Sequence, residues 1–265
     1  MTDPKAYRTE REWIGTGGLT ATVPTATPFK KEPKSIEIYG DGIGTVDYVE
    51  HMGDDLTIVN SARVSFGKHK ESLDEKDEKL INYLVKHKHT STFEHNVVTL
   101  RFVVPLFVRS QHHRHRTWAY NEISRRYTDV NIQFYEPQEF RTQHENNRQA
   151  SNAEDLIDPM VTHNLLCQTA SRTLRRFHQE SLELYNNLLE AGVCREQARG
   201  VLPQNMYTEY YGTVNLNNLL KFIDLRTHEG AQWEIQRVAE ACLDIAEDLW
   251  PVAVGAYRRT KNEHA

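Results

Sequence analysis

The sequence has few cysteines, and their spacing excludes two common ways of stabilising a fold. Cys167, Cys194 and Cys242 are odd in number, lie far apart and form no CxxC pair. A disulfide framework needs an even set, and a zinc knuckle needs closely paired ligands. We therefore expect reduced thiols and no metal centre. A chain of 265 residues can instead rely on a sizeable apolar core.

Long apolar runs and an excess of positive charge are also missing. The longest apolar run, around residues 103–108, contains a proline and is too short to span a bilayer, and the N-terminus lacks the apolar core of a signal peptide. The formal net charge is -5, whereas domains dedicated to nucleic-acid binding are usually basic. These features predict a cytoplasmic protein that binds neither a membrane nor a nucleic acid.

Positive charge is instead concentrated in one short segment. Between Arg109 and Arg126 there are five arginines and three histidines against one carboxylate, Glu122. Arginine is always charged and its planar fork fits a phosphate, so such a cluster needs either an anion or bulk water. The runs TWAY and NEIS add groups that can pack against or hydrogen-bond a planar ring. The segment therefore favours a nucleotide site over a solvated face.

Other candidates for chemistry are weaker when each is taken alone. A metal site in the three clustered histidines is disfavoured, because adjacent histidines diverge on a helix and arginines repel a cation. Ser124 lacks the glycines of a nucleophile elbow, which favours a hydrogen-bonding role. Cys194 is either a nucleophile beside an arginine or a small buried residue, and the second is commoner. His89 could interact with a helix dipole, while Arg199 and Arg226 could be surface ion-pair residues.

Patterns in the first half predict strands and capped helices. SIEIYGDG and TVDYVEHM predict two short strands, and Asp54 or Asp55 is expected to cap the helix that follows. A capping box in SLDE predicts the start of the next helix, which we expect to end near His89. The period of two in NVVTLRFVV predicts a largely buried strand, and Pro105 then suits the first turn of a helix leading into the arginine segment.

The second half is expected to be mostly helical. A long helix is predicted from about Pro159 to Glu190, with Gly192 as its stop, followed by a short helix in CREQARGVL. NLNNLLKFIDLR predicts a further helix. Apolar residues at helical spacing from Ile235 to Leu249 predict a long last one.

Together these patterns predict an α+β fold. We expect a single helix-rich domain over residues 35–265 with a small, mostly antiparallel sheet. Residues 1–34 are expected to form an N-terminal extension. Within it, residues 15–34 mix Gly, Thr, Pro and Lys without a sustained period, which predicts a segment that is either draped over the surface or partly disordered.

Several segments taken together resemble a known family. Arg114-His115-Arg116, followed after seven residues by Ser124, matches the RHRx7S signature of the flavin-dependent thymidylate synthases. Supporting segments follow in the family's order: SARVSF (61–66), HTSTFEH (89–95), NEISRRY (121–127), ARGVLP (198–203), YGTVN (211–215) and LRTHEGAQWEIQ (225–236). The resemblance covers roughly residues 48–250 and leaves out the first thirty or so.

The resemblance implies the family's fold and a homotetramer whose active sites lie between subunits. It implies conversion of dUMP to dTMP with FAD, NADPH and 5,10-methylenetetrahydrofolate. In this reaction NADPH reduces the flavin, the folate supplies a methylene, the reduced flavin provides a hydride, and tetrahydrofolate is released. No cysteine nucleophile is required, in contrast to the other class of thymidylate synthase.

The resemblance also assigns site residues position by position. Those implied to contact dUMP are Gln111, Arg114, Glu122, Ile123, Ser124, Arg125, Arg126, Arg199 and Arg226. Those implied to contact FAD are Ser91, Arg114, His115, Arg116, Glu122, Asn215, Leu216, Asn217 and Lys221. Arg226 matches an arginine that favours ionisation of the uracil ring at N3, and His89 a histidine beside flavin and folate, so these two are the catalytic candidates. The arginines are expected to line one cavity shared by both ligands.

Some assignments stay open. Lys221 stands where relatives have Asn or His, and Asn217 where some have Arg, which leaves the contacts to the FAD phosphate or adenine undecided. Glu122 either accepts hydrogen bonds from ribose and arginines or forms a purely structural ion pair. Two other functions compete: an RNA or single-strand binding module that stacks bases on Trp118 and Tyr120, and a methylase with a cysteine nucleophile.

Overall fold

A five-stranded antiparallel sheet forms the centre of the fold. The computed structural model describes residues 34–147 and 150–263, so the expected N-terminal extension lies, apart from Lys34, outside the described residues. The sheet is built from β1 (Ser35–Glu37), β2 (Thr45–Met52), β3 (Val97–Pro105), β4 (Ala119–Glu122) and β9 (Tyr207–Asn215), in the order β1-β2-β3-β9-β4. Two hairpins are separate from it, β5 (Phe140–Gln143) with β6 (Ser151–Ile157), and β7 (Met160–His163) with β8 (Leu166–Thr169).

Eight α-helices are found among the described residues. They are α1 (Asp55–Arg63), α2 (Glu75–Lys86), α3 (Leu106–His112), α4 (Ala170–Glu190), α5 (Arg195–Ala198), α6 (Leu216–Arg226), α7 (Trp233–Leu249) and α8 (Pro251–Asn262). Three short 3-10 turns accompany them, at Val64–Phe66, Thr90–Phe93 and Arg199–Val201. The predicted α+β class, helix-rich with antiparallel strands, is confirmed. No helix in the described part of the chain is both long and apolar enough to cross a membrane.

Strand β3 confirms the prediction of a largely buried strand. Its alternate side chains, from Val98 to Val104, are at most 1% exposed and belong to the core formed with α6 and α7. On its other face Arg101 pairs with Asp47 and with Glu209, so that side is only half-buried. This difference between the faces follows from the period of two in a strand.

Helix α1 begins as predicted, but helix α2 begins at a different cap residue from the one predicted. Asp54 caps α1, because its carboxylate accepts a hydrogen bond from the Thr57 N–H at 2.8 Å. The predicted capping box from Ser72 is wrong: the cap of α2 is Asp74, which accepts from the N–H groups of Lys76 and Asp77. An ionised carboxylate is a stronger acceptor for these N–H groups than a hydroxyl, and its negative charge also interacts favourably with the helix dipole.

Two helix boundaries also differ from the prediction. Helix α2 ends at Lys86 and not near His89, because Lys88 takes a positive φ of 56° and breaks the helical path. The long helix α4 begins at Ala170 and not near Pro159, because residues 160–169 form the hairpin β7-β8. Its predicted stop is confirmed, since Gly192 has a φ of 89°, a conformation that favours glycine.

Candidate active site

The arginine segment lies between a packed helix and a sheet edge. Helix α3 follows Pro105, whose fixed φ suits a helix start, and it ends at His112. The chain then turns through Arg114 and Arg116 into β4, which pairs with β9 so that Glu122 lies opposite Tyr210. Helix, turn and edge strand therefore present the RHR tripeptide on the outer surface of the chain.

Arg226, at the end of α6, is held by this segment. Its Nε–H donates to His115 Nε2 at 3.0 Å, and its Nη2 donates to the Gln111 carbonyl at 3.2 Å. Burial, and then the Arg226 charge, lower the pKa of His115 to about 4, so the ring is neutral near pH 7 and carries its proton on Nδ1. Burial, and then Arg114, lower the pKa of Arg226. The predicted residues Gln111, Arg114, His115 and Arg226 are thus brought together.

The other two histidines of the segment are structural. His112 is fully buried, with Nδ1 2.8 Å from the Tyr210 hydroxyl, and burial lowers its pKa. The His113 ring stacks on Tyr120 with centroids 4.1 Å apart. Among the described residues no group of three His, Cys, Asp or Glu side chains is arranged to hold a metal ion.

Glu122 forms the ion pair that the sequence left open. Its Oε1 accepts from Arg109 Nε at 3.0 Å and from the Thr208 hydroxyl at 2.7 Å. The carboxylate therefore ties α3 to β9 across the sheet edge. One oxygen carries both bonds, and a carboxylate oxygen pair has further acceptor capacity for a ligand hydroxyl.

The residues after Glu122 form a turn against α5. Ser124 accepts from the Tyr127 N–H and Thr128 N–H through its carbonyl, and its hydroxyl accepts from the Arg126 N–H at 3.3 Å. Arg125 is buried and donates to the Val130 carbonyl at 2.7 Å, so its guanidinium holds a loop. Ile123 is 37% exposed.

Three predicted cations of the dUMP and FAD sets are exposed. Arg114, Arg116 and Arg199 form no ion pair with a carboxylate in the ranges the structure describes, and Arg126 lies 3.6 Å from the exposed Glu196. A single chain does not enclose these arginines, so the shared cavity stays a prediction that involves a second subunit. Arginines of like charge with no anion between them extend into solvent, and a second protein surface is required to enclose them.

The remaining FAD candidates lie elsewhere on the chain. Lys221 and Asn217, on the opposite face of α6 from Arg226, line a cavity of about 590 Å³ together with Thr90, which lies between His89 and Ser91. His89 is exposed and its ring stacks on that of Tyr83 at 5.8 Å, and Ser91 is exposed. Within a single chain, these residues therefore lie apart from the RHR tripeptide.

The first residues of α6 and its N-cap leave particular donors and acceptors free for a ligand. Asn215 caps α6 through its Oδ1, which leaves its Nδ2 for a ligand. Asn217 donates through Nδ2 to Glu94 at 2.9 Å, which leaves its Oδ1. Leu216 is fully buried, and its N–H is bonded to the Asn96 carbonyl.

These residues fit a flavin nucleotide. Its pyrophosphate needs cations, and its rings need apolar walls. Lys88 and Lys221 supply positive charge to a cavity whose other walls include Leu84, Phe93 and Leu220. The unpaired arginines of the RHR tripeptide supply more on the other surface.

Sequence reasoning missed two residues beside the site. The Gln111 side chain donates to Gln232, which in turn donates to the buried Glu234. Gln232 and Glu234 both lie in the motif LRTHEGAQWEIQ. Their contacts form because α3 packs against α7, so the periodicity of the motif alone could not predict them.

The chain is similar to known proteins over most of its length. A family model described as thymidylate synthase complementing protein matches residues 47–252. A flavin-dependent thymidylate synthase of Thermus thermophilus is 44% identical over 214 residues, covering 81% of this chain and 75% of that protein. One of Thermosipho melanesiensis is 40% identical over 209 residues, covering 78% and 87%.

A solved structure agrees with these sequence relatives. The UMP/dUMP methylase PolB of Streptomyces cacaoi, bound with 5-Br dUMP, is similar with a TM-score of 0.69 and 32% identity, covering 84% of this chain and 97% of that one. This chain belongs to the flavin-dependent thymidylate synthase family.

Proposed function

We propose that this enzyme methylates dUMP to dTMP, with 5,10-methylenetetrahydrofolate as methylene donor and NADPH-reduced FAD as hydride source, releasing tetrahydrofolate. The observation that carries the proposal is the fixed Arg226 guanidinium beside the RHR tripeptide. Arg226 is held by His115 and by the Gln111 carbonyl, at 3.0 and 3.2 Å. The Arg114 charge, which has no acidic partner in the described ranges, is near enough to lower the pKa of Arg226, and two neighbouring cations suit a ligand with several negative charges.

Arg226 is suited to stabilise negative charge on the uracil ring. Its Nε and Nη2 are used to hold it in place, which leaves the Nη1 N–H groups for a ligand. Because His115 is neutral, it fixes the guanidinium without adding a competing cation. A preorganised cation of this kind lowers the energy of an anion that develops at N3.

The nucleotide phosphate would be bound by the exposed arginines. A phosphate monoester has close to two negative charges near neutral pH. Arg114, Arg126 and Arg199 can each reach such a group from the surface, while the backbone around Ile123 and Ser124 supplies further polar contacts. Glu122, held by Arg109, retains acceptor capacity for a ribose hydroxyl.

The proposed FAD ligands come from two surfaces of the chain. Arg114, His115, Arg116 and Glu122 lie in the arginine segment and β4, whereas Asn217 and Lys221 line the cavity of about 590 Å³. His89 and Ser91 flank Thr90 at that cavity, and Asn215 and Leu216 lie at the start of α6. When bound, the reduced flavin supplies the hydride that completes the methyl group. The Leu216 side chain is fully buried, so only the backbone near it could contact FAD. Lys221 would act as a point charge toward a phosphate.

The division of these residues supports a homotetramer with sites between subunits. Apolar side chains remain exposed where a subunit could cover them, including Phe177 (43%) and Leu184 (48%) on α4 and Leu165 (99%) in the β7-β8 turn. Patches of this kind mark association surfaces. We also propose that residues 35–265 form the thymidylate synthase domain and that the protein is cytoplasmic.

The competing functions are less well supported. Trp118 is 6% exposed and Tyr120 is half-buried beneath His113, so neither ring offers a free face for base stacking. Cys194 is exposed at the start of α5, a helix of only four residues, with its Sγ 3.8 Å from Gln197.

The test is turnover by purified protein supplied with FAD. We expect NADPH oxidation that depends on dUMP, and dTMP as product. Arg226→Ala should lower turnover about 100-fold or more, the usual effect of removing one preorganised donor. A protein without affinity for flavin, or a variant as active as the wild type, would refute the proposal.

A further inference from the structure

A buried carboxylate next to the candidate site has no role in the proposed reaction. Glu234, in the first turn of α7, is 4% exposed. Its Oε1 accepts from Arg141 Nη2 at 2.7 Å and from the Tyr135 hydroxyl at 3.3 Å. Its Oε2 accepts from Gln232 Nε2 at 2.9 Å, and Gln232 Oε1 accepts from Gln111 Nε2 at 2.5 Å.

The direction of these hydrogen bonds is set by the carboxylate. An ionised carboxylate can only accept, so the NH₂ group of Gln232 must face Glu234. The carbonyl oxygen of Gln232 then faces Gln111 and requires the NH₂ group of that residue. The Gln111 side-chain oxygen is thereby turned away from Gln232, on the residue whose backbone carbonyl binds Arg226.

We propose that Glu234 is a positioning residue: through Gln232 it sets which end of the Gln111 amide faces the nucleotide. This inference rests on the proposed function, in which Gln111 contacts dUMP. We call Gln111, Gln232 and Glu234 the amide relay. It presents an acceptor at Gln111 although a glutamine side chain alone could turn either end to a ligand.

Replacing the acid by its amide should reverse the relay. In Glu234→Gln, the new carbonyl oxygen can still accept from Arg141 and Tyr135, which places an NH₂ group against Gln232. To avoid two facing donors, Gln232 must rotate, and Gln111 must follow. We expect dUMP to bind the FAD-loaded variant about tenfold more weakly, the usual effect of losing one hydrogen bond.

A second substitution should restore the direction. In Gln232→Glu combined with Glu234→Gln, the acceptor-only group lies directly beside Gln111 and again requires its NH₂ group. The amide introduced at position 234 would donate to the new carboxylate and accept from Arg141. We expect the dUMP affinity of the double variant to return to within about threefold of the wild type. A role in stability alone predicts no such recovery.

Asp55 offers a matched control. It is also 4% exposed, and it accepts from the Val252 and Ala253 N–H groups at the start of α8, away from the relay. Asp55→Asn should lower the melting temperature but leave dUMP affinity unchanged. An equal loss of affinity in this variant would overturn the relay, because it would attribute the effect to stability.

Isothermal titration of dUMP into FAD-loaded protein measures these affinities. Unchanged affinity in Glu234→Gln, or a double variant as weak as the single one, would refute the relay while leaving the proposed function intact. If the wild type itself does not bind dUMP, the proposed function fails and the relay with it. Should Glu234→Gln not fold, Gln232→Met keeps the Glu234–Arg141 pair and still frees Gln111, and unchanged affinity there would refute the relay.

Discussion

Acidification should destabilise the fold through His115, the ring that accepts a hydrogen bond from Arg226. Burial, and then the Arg226 charge, lower the pKa of His115 from its usual 6.5 to about 4. The unfolded chain therefore binds a proton near pH 6.5, whereas the folded chain does not until about pH 4. Stability from this residue is full above pH 6.5 and is lost as the pH falls toward 4.

The expected magnitude follows from the same values. Each unit of pKa difference corresponds to about 1.4 kcal/mol for a group removed from solvent. His115 is only partly buried, so solvent screening reduces this, and we expect a loss of about 1 kcal/mol in unfolding free energy between about pH 7 and about pH 5.

Comparison with His115→Gln isolates the contribution of this ring. Glutamine can still accept from Arg226 but does not titrate. Denaturant unfolding at fixed protein concentration, near pH 7 and near pH 5, should show the wild type losing about 1 kcal/mol more than the variant. Equal losses would show that His115 does not cause the pH dependence, and would contradict the claim that its ring is neutral beside Arg226.

Three further predictions test other parts of the account. Arg114→Ala should weaken dUMP and flavin binding together, since one side chain is proposed to serve both, and equilibrium titration with unchanged affinities would contradict this. Cys194→Ala should leave dTMP formation intact, whereas lost turnover with retained flavin binding would support a cysteine nucleophile. Asp54→Ala should lower unfolding free energy by about 1 kcal/mol through loss of the α1 cap, while Asp54→Ser should retain most of it; equal losses would refute the capping role.

The sequence predicted those parts of the fold that depend on neighbouring residues. The alternation along β3 and the Asp54 cap needed only local patterns, and both are confirmed. The β7-β8 hairpin was missed because its turn places Asn164 and Leu165 at φ values of 48° and 65°, and leucine is not a residue that signals such a turn.

Strand β9 was recognised only as the motif YGTVN, because a glycine within a strand weakens the pattern. At Gly212 a Cβ atom would lie 3.0 Å from Phe102 and 3.1 Å from Trp118. The glycine is thus explained by side chains distant in sequence. No local pattern could supply that reason.

The resemblance named candidate site residues but did not predict where each of them lies on the chain surface. The RHRx7S signature led to Arg114 and His115 and the segment LRTHEGAQWEIQ to Arg226, and one chain brings these three residues together. The same resemblance named Asn217 and Lys221, which face a separate cavity on the other side of α6. Whether two surfaces belong to one site depends on how copies of the chain associate, and a linear sequence does not specify that.

The most direct test of the proposed reaction is anaerobic turnover with the flavin spectrum and the product followed together. Protein reduced with about one equivalent of NADPH per flavin, so that no reductant remains, should reoxidise its flavin when dUMP and 5,10-methylenetetrahydrofolate are both added, with one dTMP formed for each flavin reoxidised. Formation of dTMP while the flavin stays reduced, or reoxidation that requires no dUMP, would contradict a hydride supplied by the flavin to the nucleotide.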